Sequence, residues 1–495
     1  LDLGVDFSPV DRVLQMGSPK GIARLMQRAG RSAHRPGETA RVYGVPTHAL
    51  ELVEFSAARV ALAAGRIEER APLEGPLDVL VQHLVTCALG GGFRPDELLE
   101  EVRGTWAYRA LDRATFDWAL AMVEHGGATL SAYEQHHRIT AVDGVYGVAT
   151  PRIARFHRLA IGTITADATM EIRFLRGARL GTIEEDFIGR LRSGDRFNFA
   201  GRSLEFVMVR DLVAYVRASK VVPSLTPIWS GSRFPLSTSL GEGVRFELDR
   251  AARGCWEEAS AELLAVRPVL EEQARLSRLP QADELLVERW RARGEHHLFV
   301  YPFEGRRAHQ ALAALLALRL GRRRPATFSL TVNDYGIELV GESAIVDEEL
   351  LHPSVLSPDG VVEDLTESVN LGELAKRQFR DIARIAGLVF PGYPGAGKGT
   401  RQMQVSASLV YDVFARYDPD NLLLHQARRE VFEQQFELTR LERALDRMGH
   451  SRVTVVDIPH PTPLAFPLVI DRLGSRLSTE QLITRVQKMI AGWQG

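Results

Sequence analysis

Four basic residues crowd the stretch Gln27 to Arg35, QRAGRSAHR: Arg28, Arg31, His34 and Arg35. Arginines three apart on a helix hold their side chains close to one face. Two guanidinium groups so placed can fork onto phosphate oxygens and stabilise the charge that builds up during phosphoryl transfer. The plain alternative is a solvated basic helix end, the ordinary fate of a charge run.

Three further stretches carry possible chemistry. GYPGAGKGT, residues 392–400, approaches a phosphate-binding loop, but Gly399 stands where a hydroxyl is required and Thr400 comes one residue late. Pro391 and Pro394 also remove backbone N–H donors. A nucleotide site there ranks below contact of Lys398, Arg401 and helix-start amides with a nucleic-acid phosphate, and below a purely structural turn. Trp229 lies in TPIWSGSRFPLS, a loop-like stretch with Gly231 beside the indole and Arg233 within reach of a neighbouring phosphate. That is the stacking-plus-cation pairing of sequence-tolerant strand binders; a core tryptophan is the alternative. His136–His137 and His296–His297 are strand neighbours whose side chains alternate faces, so neither pair converges on one metal. No HExxH, Ser-His-Asp spacing or cysteine cluster marks an independent hydrolytic centre.

The elements that must position these residues follow from periodicity. Residues 1–7 and 11–16 read as strands, 20–29 as a helix and TARVYGVP as a further strand, an alternation that implies a parallel sheet. An Ala/Leu-rich helix follows, and Pro72 and Gly75–Pro76 punctuate the chain. Three helical patterns between Pro76 and Gly127 lead into a β-type stretch with an Asp143–Gly144 turn, the pattern of a winged helix. Residues 165–240 hold short β-rich runs at roughly ten-residue spacing, arguing a small barrel or sandwich. Residues 243–293 read as helical through ERWRARG, followed by a β-α-β-β unit with Arg306, Arg307, Arg322, Arg323 and Arg324 along its edge. That edge is either a phosphate-tracking surface or a solvated helix cap. The last hundred residues read as mostly helical, with one long helix from LLLHQAR to ALDRM, a strand VTVVDIP and an extended PHPTPLAFPLV.

Lys plus Arg (61) nearly equals Asp plus Glu (63), so any nucleic-acid surface is a local patch, not a global field. With 495 residues, 45% hydrophobic and 25% charged, the chain reads as several ordinary globular domains. Cys87 and Cys255 match no metal spacing and read as reduced thiols of a cytoplasmic protein. No run approaches the roughly 18 apolar residues of a membrane span, and no membrane partner is expected.

LDLGVDF with QRAGRSAHR about twenty residues on resembles motifs V and VI of superfamily 2 helicases. The longer string LDLGVDFSPVDRVLQMGSPKGIARLMQRAGRSAHRPG is similar to the Lhr (large helicase-related) group. TPIWSGSRFPLS resembles that group's Pro-x-Trp-x-Gly signature. PGYPGAGKGTRQMQ through TPLAFPLVIDRL resembles its ligase-associated DEXH-box branch. The resemblance implies a multidomain α/β and α+β fold. It would comprise a partial RecA-like parallel sheet (1–48), a connecting helix and winged helix (49–160), a small β-barrel (161–242) and a C-terminal mixed α/β extension (243–495). It implies that Gly4 and Asp6 face the nucleotide sugar, and that Gln27, Arg28 and Arg31 reach the γ-phosphate, with His34 or Arg35 in the second finger position. It implies that Trp229 stacks on single-stranded DNA. The expected activity is that of the C-terminal part of an ATP-dependent 3′-to-5′ DNA helicase in repair, on single strands and duplex or hybrid junctions, beside a DNA ligase and a metallo-exonuclease. ATP and Mg2+ would be held mainly by an N-terminal domain that precedes Leu1. Without a phosphate loop and DEXH carboxylates this chain alone would be inactive. A cytoplasmic, nucleoid-associated location is expected. A non-catalytic DNA-binding module and a P-loop NTPase using Lys398 are the rival readings.

Overall fold

The computed structural model describes residues 10–32, 37, 39–68, 72–163, 169–175, 177–184, 188, 193–199, 202–210, 213–219, 234–292, 294–350, 352–368, 371–389, 392–393, 396–397, 400–474 and 479–494. The chain folds as two compact units, one of residues 1–70, 230–369 and 434–495, the other of residues 71–229 and 370–433.

In chain order, β1 (Val13–Met16) and β2 (Val42–Val45) pair in parallel, with α1 (Ile22–Ala29) crossing between them. The expected βαβ arrangement is present in its described part. The helix α2 (Ala49–Ala63) follows. Helices α3 (Leu77–Leu89), α4 (Pro95–Arg103) and α5 (Arg113–His125) precede the hairpin β3 (Ile139–Val142) and β4 (Val145–Val148). Asp143 and Gly144 both have positive φ, 53° and 75°, so the two-residue turn has the twist that a tight hairpin needs. Phe93 makes an isolated antiparallel bridge to Tyr146 and ties the α3–α4 loop to the wing. The winged helix is thus present, followed by α6 (Pro151–Ala160), whose first turn is capped by Thr150.

Strands β5 (Thr169–Phe174), β6 (Arg179–Glu184), β7 (Arg196–Phe199), β8 (Arg202–Arg210) and β9 (Val213–Ala218) form one sheet in the order β6-β5-β9-β8-β7. It has two ends: among the described residues β6 and β7 do not pair, and no closed barrel is found. Ile172, Ile183, Phe197, Leu204 and Val216 pack its buried side.

Helices α7 (Thr238–Ala252) and α8 (Ala261–Leu276) lead to β10 (Glu284–Ala292), β11 (Glu295–Val300), α9 (Gly305–Arg323), β12 (Ser329–Val332) and β13 (Ile337–Gly341). Residues 284–292, expected as helix, are therefore a strand. It lies between β11 and the terminal strand β16 (Arg452–Asp457) in a sheet ordered β12-β13-β11-β10-β16. A central strand covered on both faces shows no polar alternation, and its glutamates are not at the surface. Glu288 is fully buried and accepts from Gln273 Nε2 at 2.8 Å, Tyr301 Oη at 2.7 Å and Thr462 Oγ1 at 2.7 Å.

Helices α10 (Val361–Ser368) and α11 (Leu371–Ile385), the short pair β14 (Gly392–Tyr393) and β15 (Ala396–Gly397), α12 (Thr400–Tyr417), α13 (Leu422–Glu430), α14 (Leu438–His450), α15 (Ala465–Gly474) and α16 (Thr479–Gln494) complete the chain. The single long helix expected over α13–α14 is broken by a π turn at Val431–Gln435 and by Glu437 at φ 48°. The PHPTPLAFPLV segment is not extended throughout: Pro467 sits in the first turn of α15, where its missing N–H costs nothing.

Each unit has its own core. In the first, Val53 and Ala57 of α2 pack with Leu240, Val244 and Leu248 of α7 and with Leu286 and Phe299 of the sheet. A Cβ added at Gly243 would come 2.9 Å from that of Ala57, so glycine sets how closely α2 and α7 approach. In the second, Leu80, Leu84, Phe116 and Val123 pack with Phe379, Phe414 and Leu424.

The start of α3 has no cap of its own. Gln426 Oε1 accepts from the N–H groups of Leu77 (2.9 Å) and Asp78 (3.2 Å), while its Nε2 donates to Asp78 Oδ1 (2.8 Å) and Glu430 Oε1 (2.7 Å). Burial pushes the Asp78 carboxyl up to about 6, against the Gln426 bond and reinforced by the Glu430 charge. The unfolded chain releases this proton near 3.8 and the folded chain near 6, so stability falls as pH rises between them. Asp78→Asn should flatten that slope and raise the melting temperature at neutral pH, by an effect of about 3 kcal/mol or less. Thermal melts of residues 1–495 across pH 4–8 check this; an unchanged slope would assign the dependence to other groups.

Candidate functional site

The helix α1 begins at Gly21, where a Cβ would stand 2.3 Å from Glu68 Oε1. That space lets Glu68 Oε2 accept from the N–H groups of both Ile22 and Ala23 at 3.0 Å, placing a carboxylate on the helix N-terminus. Ile22 is fully buried, and Gln27 is exposed on the far side of the helix. Arg28 Nη1 donates to Gln15 Oε1 at 2.6 Å, and Gln15 Nε2 in turn donates to the carbonyls of Met16 and Gly17. The α1 guanidinium is thereby aimed by a buried side chain of β1.

Arg31 lies beyond the helix, which ends at Ala29. Its N–H bonds back to Arg28 O at 3.1 Å, and Ser32 Oγ donates to Ala29 O at 2.9 Å, so a tight turn carries it on from Arg28. Gly4, Asp6, His34 and Arg35 lie outside the described residues, as do Trp229, Arg233 and Lys398. Arg401 falls in the first turn of α12.

The loop entering α1 carries a buried ionic cluster of the first unit. Lys20, at φ 60°, places Nζ 2.7 Å from Glu54 Oε1 and 3.2 Å from Asp334 Oδ2. Glu54, on α2, is fully buried and also accepts from Ser18 Oγ and Tyr335 Oη. Its helical neighbour Glu51 accepts from Ser18 N at 3.0 Å and from Thr47 Oγ1 at 3.0 Å. Burial disfavours the Lys20 ammonium, but Glu54 and Asp334 outweigh it and hold its pKa above the ordinary value. The same balance runs the other way at Asp334: burial raises its pKa, yet the Lys20 charge and the N–H groups of Leu236 and Arg306 hold it down. Asp334 Oδ1 accepts from those two amides at 3.1 and 3.0 Å, and Lys20 O accepts from Ser237 N at 2.8 Å. One cluster therefore joins the α1 loop, α2, residues 236–237 and the β12–β13 turn.

None of Gln15, Glu68, Lys20, Glu54 and Asp334 was singled out by motif. A signal existed for Glu54: with Glu51 it is one of two acids three apart in the otherwise apolar LELVEF.

Other candidates resolve as structure. His136 is buried and pushed down to about 4, by desolvation first and then by the charges of Arg138 and His137. His297 Nδ1 lies 2.9 Å from Glu338 Oε1 inside the sheet, with His296 half-buried, whereas His136, expected on a strand, lies in the short 3-10 turn Glu134–His136 with His137 at its end. Along the basic edge, Arg322 pairs with Asp364 and Glu367, and Arg324 with Glu349, so their charges are spent within the protein. The GYPGAGKGT loop follows the helix α11, not the strand that a phosphate loop needs. Among the described residues no group of three or more His, Cys, Asp or Glu is placed to hold a metal ion. No described helix is long and apolar enough to cross a membrane.

Residues 60–226 match the model of the large helicase-related protein winged helix domain, and residues 279–465 match that of the DEAD/H associated family. The chain is 28% identical to ATP-dependent helicase Lhr-Core protein 2 of Thermococcus barophilus over 95% of its own length and 56% of the relative's. Both models and this relative make the chain similar to the Lhr group along most of its length. Lhr helicase/uracil glycosylase of Escherichia coli is 26% identical over 94% of this chain and 31% of its own. In fold, the chain matches a structure of Mycobacterium smegmatis helicase Lhr bound to ssDNA and AMP-PNP, with TM-score 0.71 at 23% identity, covering 94% of this chain and 57% of that one. The chain thus spans just over half the length of the archaeal Lhr-Core relative and of the solved Lhr structure.

Lys20→Met would leave the Glu54 carboxylate buried beside Ser18 and Tyr335 without its cation. Breaking a buried pair from one side costs roughly 3–5 kcal/mol, and adding Glu54→Gln should recover most of it. Urea unfolding of the single and double variants checks this, and a loss below about 1 kcal/mol in Lys20→Met would show the pair to be solvated.

Proposed function

We propose that this chain supplies the C-terminal part of an ATP-dependent DNA helicase that translocates 3′ to 5′ on single-stranded DNA in repair, in the ligase-associated branch of the Lhr family. The observation that carries the reading is the arginine-bearing end of α1, fixed on a parallel βαβ unit by Gln15, Glu68 and the Lys20 cluster, in a chain similar to this group. The solved Lhr relative is bound to ssDNA and AMP-PNP, and both ligand classes are carried over here as part of the proposal.

The chemistry asked of this chain is charge stabilisation. Gln27, Arg28 and Arg31, with His34 or Arg35 beyond them, face the γ-phosphate of ATP held against a partner domain, while Gly4 and Asp6 approach the sugar. Arg28 is preorganised for this because Gln15 already restricts its fork, so little ordering is left to be done when phosphate arrives. Mg2+ supplies charge neutralisation from the partner domain's carboxylates. Trp229 stacks on a base, with Arg233, Lys398 and Arg401 on phosphates. Duplex or hybrid junctions are the substrates, and a DNA ligase and a metallo-exonuclease are the proposed partners in repair.

In the complete enzyme, Arg31→Ala should lower ATP turnover by roughly a thousandfold or more while strand affinity is kept; an intact rate would sink the assignment of QRAGRSAHR. Trp229→Ala should cost about 1–3 kcal/mol of single-strand affinity with an unchanged melting temperature. A lowered melting temperature with affinity intact would return Trp229 to the core.

A further inference from the structure

The second unit holds a cleft of about 550 Å³, within the range of small-ligand sites, roughly 300–1,000 Å³. It opens between the start of α3, the turn from α4 to α5, and α13. Leu77, Leu111 and Leu422 give it an apolar floor. Gln426 also lines it, with its amide already bonded to Leu77, Asp78 and Glu430.

The charges around the cleft divide into two kinds. Both acids are committed: Asp112 caps α5, accepting from Thr115 N at 2.7 Å and Thr115 Oγ1 at 3.0 Å, and Glu74 Oε1 accepts from Arg109 Nη2 at 2.7 Å. The basic side chains of α13 are not. His425 and Arg429 stand one turn apart, both exposed, and Glu433 approaches Arg429 only to 4.0 Å. Basic groups spaced in this way share a helix face and can meet one phosphate together.

Arg109 supplies a different feature. Its guanidinium lies over the Trp106 ring, 3.7 Å from the centroid, and Nη1 donates to Trp106 O at 2.9 Å. With Glu74 at Nη2, the plane is fixed on one face and along its edges. Arg109 and Glu74 line the cleft and Trp106 does not, so the face that Trp106 leaves uncovered is the one available there. A guanidinium held flat is a surface on which nucleobases stack.

We propose that this cleft is a nucleotide-binding site separate from the end of α1, with Arg109 as the base platform and His425 and Arg429 on the phosphate. Trp106 and Glu74 act as positioning residues that hold the platform. The ligand is a planar base carrying a phosphate, either a free nucleotide or one nucleotide of a strand. An acidic peptide would satisfy the α13 cations but leave the platform unused.

The test measures binding of dAMP, deoxyadenosine, an oligo(dA) hexamer and hexaglutamate to residues 1–495 by NMR of the ligand, with melting temperature as the folding control. Arg109→Ala is expected to weaken dAMP binding roughly tenfold, the loss of one stacking platform. Arg109→Lys, which keeps the charge without the plane, should weaken it as much. The double variant His425→Ala/Arg429→Ala should bring dAMP down to the affinity of deoxyadenosine and leave deoxyadenosine unchanged. Weakening of the hexamer by Arg109→Ala assigns the nucleotide to a strand; weakening of dAMP alone assigns a free nucleotide. Should Arg109→Ala lower the melting temperature, Arg109→Lys and the α13 double variant carry the comparison. Wild-type affinity in Arg109→Lys, or equal binding of dAMP and deoxyadenosine by the unaltered chain, overturns the proposal. So does an absence of Arg109-dependent binding of both dAMP and the hexamer. Hexaglutamate that displaces dAMP at equal or lower concentration overturns it in favour of an acidic peptide.

Discussion

A fully buried carboxylate must find partners, and Glu54 finds three: Lys20, Ser18 and Tyr335. These come from the α1 loop and from the β12–β13 turn, far apart in sequence. The penalty for leaving such a group unpaired exceeds what any one apolar contact returns, so the positions of α1, α2 and that turn are fixed together. Lys20 takes a left-handed backbone conformation to reach the cluster, a local strain that persists because the surroundings over-determine it. The site at the end of α1 inherits its geometry from this cluster and from the Glu68 cap.

The same device recurs through the first unit. Glu288 gathers Gln273, Tyr301 and Thr462; Glu304 gathers Arg245, Arg440 and Arg447; Glu338 lies between His297 and Arg472. Each buried acid sits on or beside a strand of the β12-β13-β11-β10-β16 sheet and takes partners from helices packed on it. Apolar packing alone tolerates many registers. A carboxylate that must meet two or three named donors does not, and these acids make wrong registers costly.

They also explain what the sequence hides. The winged helix was legible because its signals are local: three amphipathic helices and a hairpin turn of Asp143–Gly144. The βαβ start and the helix α9 were legible for the same reason. Strand β10 was not, because ELLVERWRA carries its glutamates inward to partners on other elements, Thr462 for Glu288 among them, and reads as an amphipathic helix. The break between α13 and α14 rests on Glu437 in a left-handed conformation, which its residue type does not announce. An open sheet and a closed barrel share the same strands and turns, so spacing cannot tell them apart. At the site, arginines stood out by spacing, but the groups that aim them, Gln15, Glu68, Lys20 and Glu54, are single residues without a motif.

The winged helix poses a last question of function, because this fold commonly reads the major groove with its third helix. Such readout needs side chains that pair with base edges, chiefly Arg, Lys, Asn and Gln, on the exposed face. The exposed or half-exposed residues of α5 and its cap are Asp112, Arg113, Ala114, Thr115, Asp117, Trp118, Ala121, Glu124 and His125, with the Thr115 hydroxyl donated to Asp112 Oδ2. The one arginine is tied to Asp117 at 2.8 Å and to Asp96 at 2.6 Å. A face carrying Asp112, Asp117 and Glu124 repels the phosphates that flank a groove, which weighs against base reading by α5. An enzyme of the proposed kind would gain nothing from sequence preference and would lose speed wherever one base is favoured. An acidic third helix is consistent with the proposed sequence-tolerant grip of one stacking indole and scattered cations.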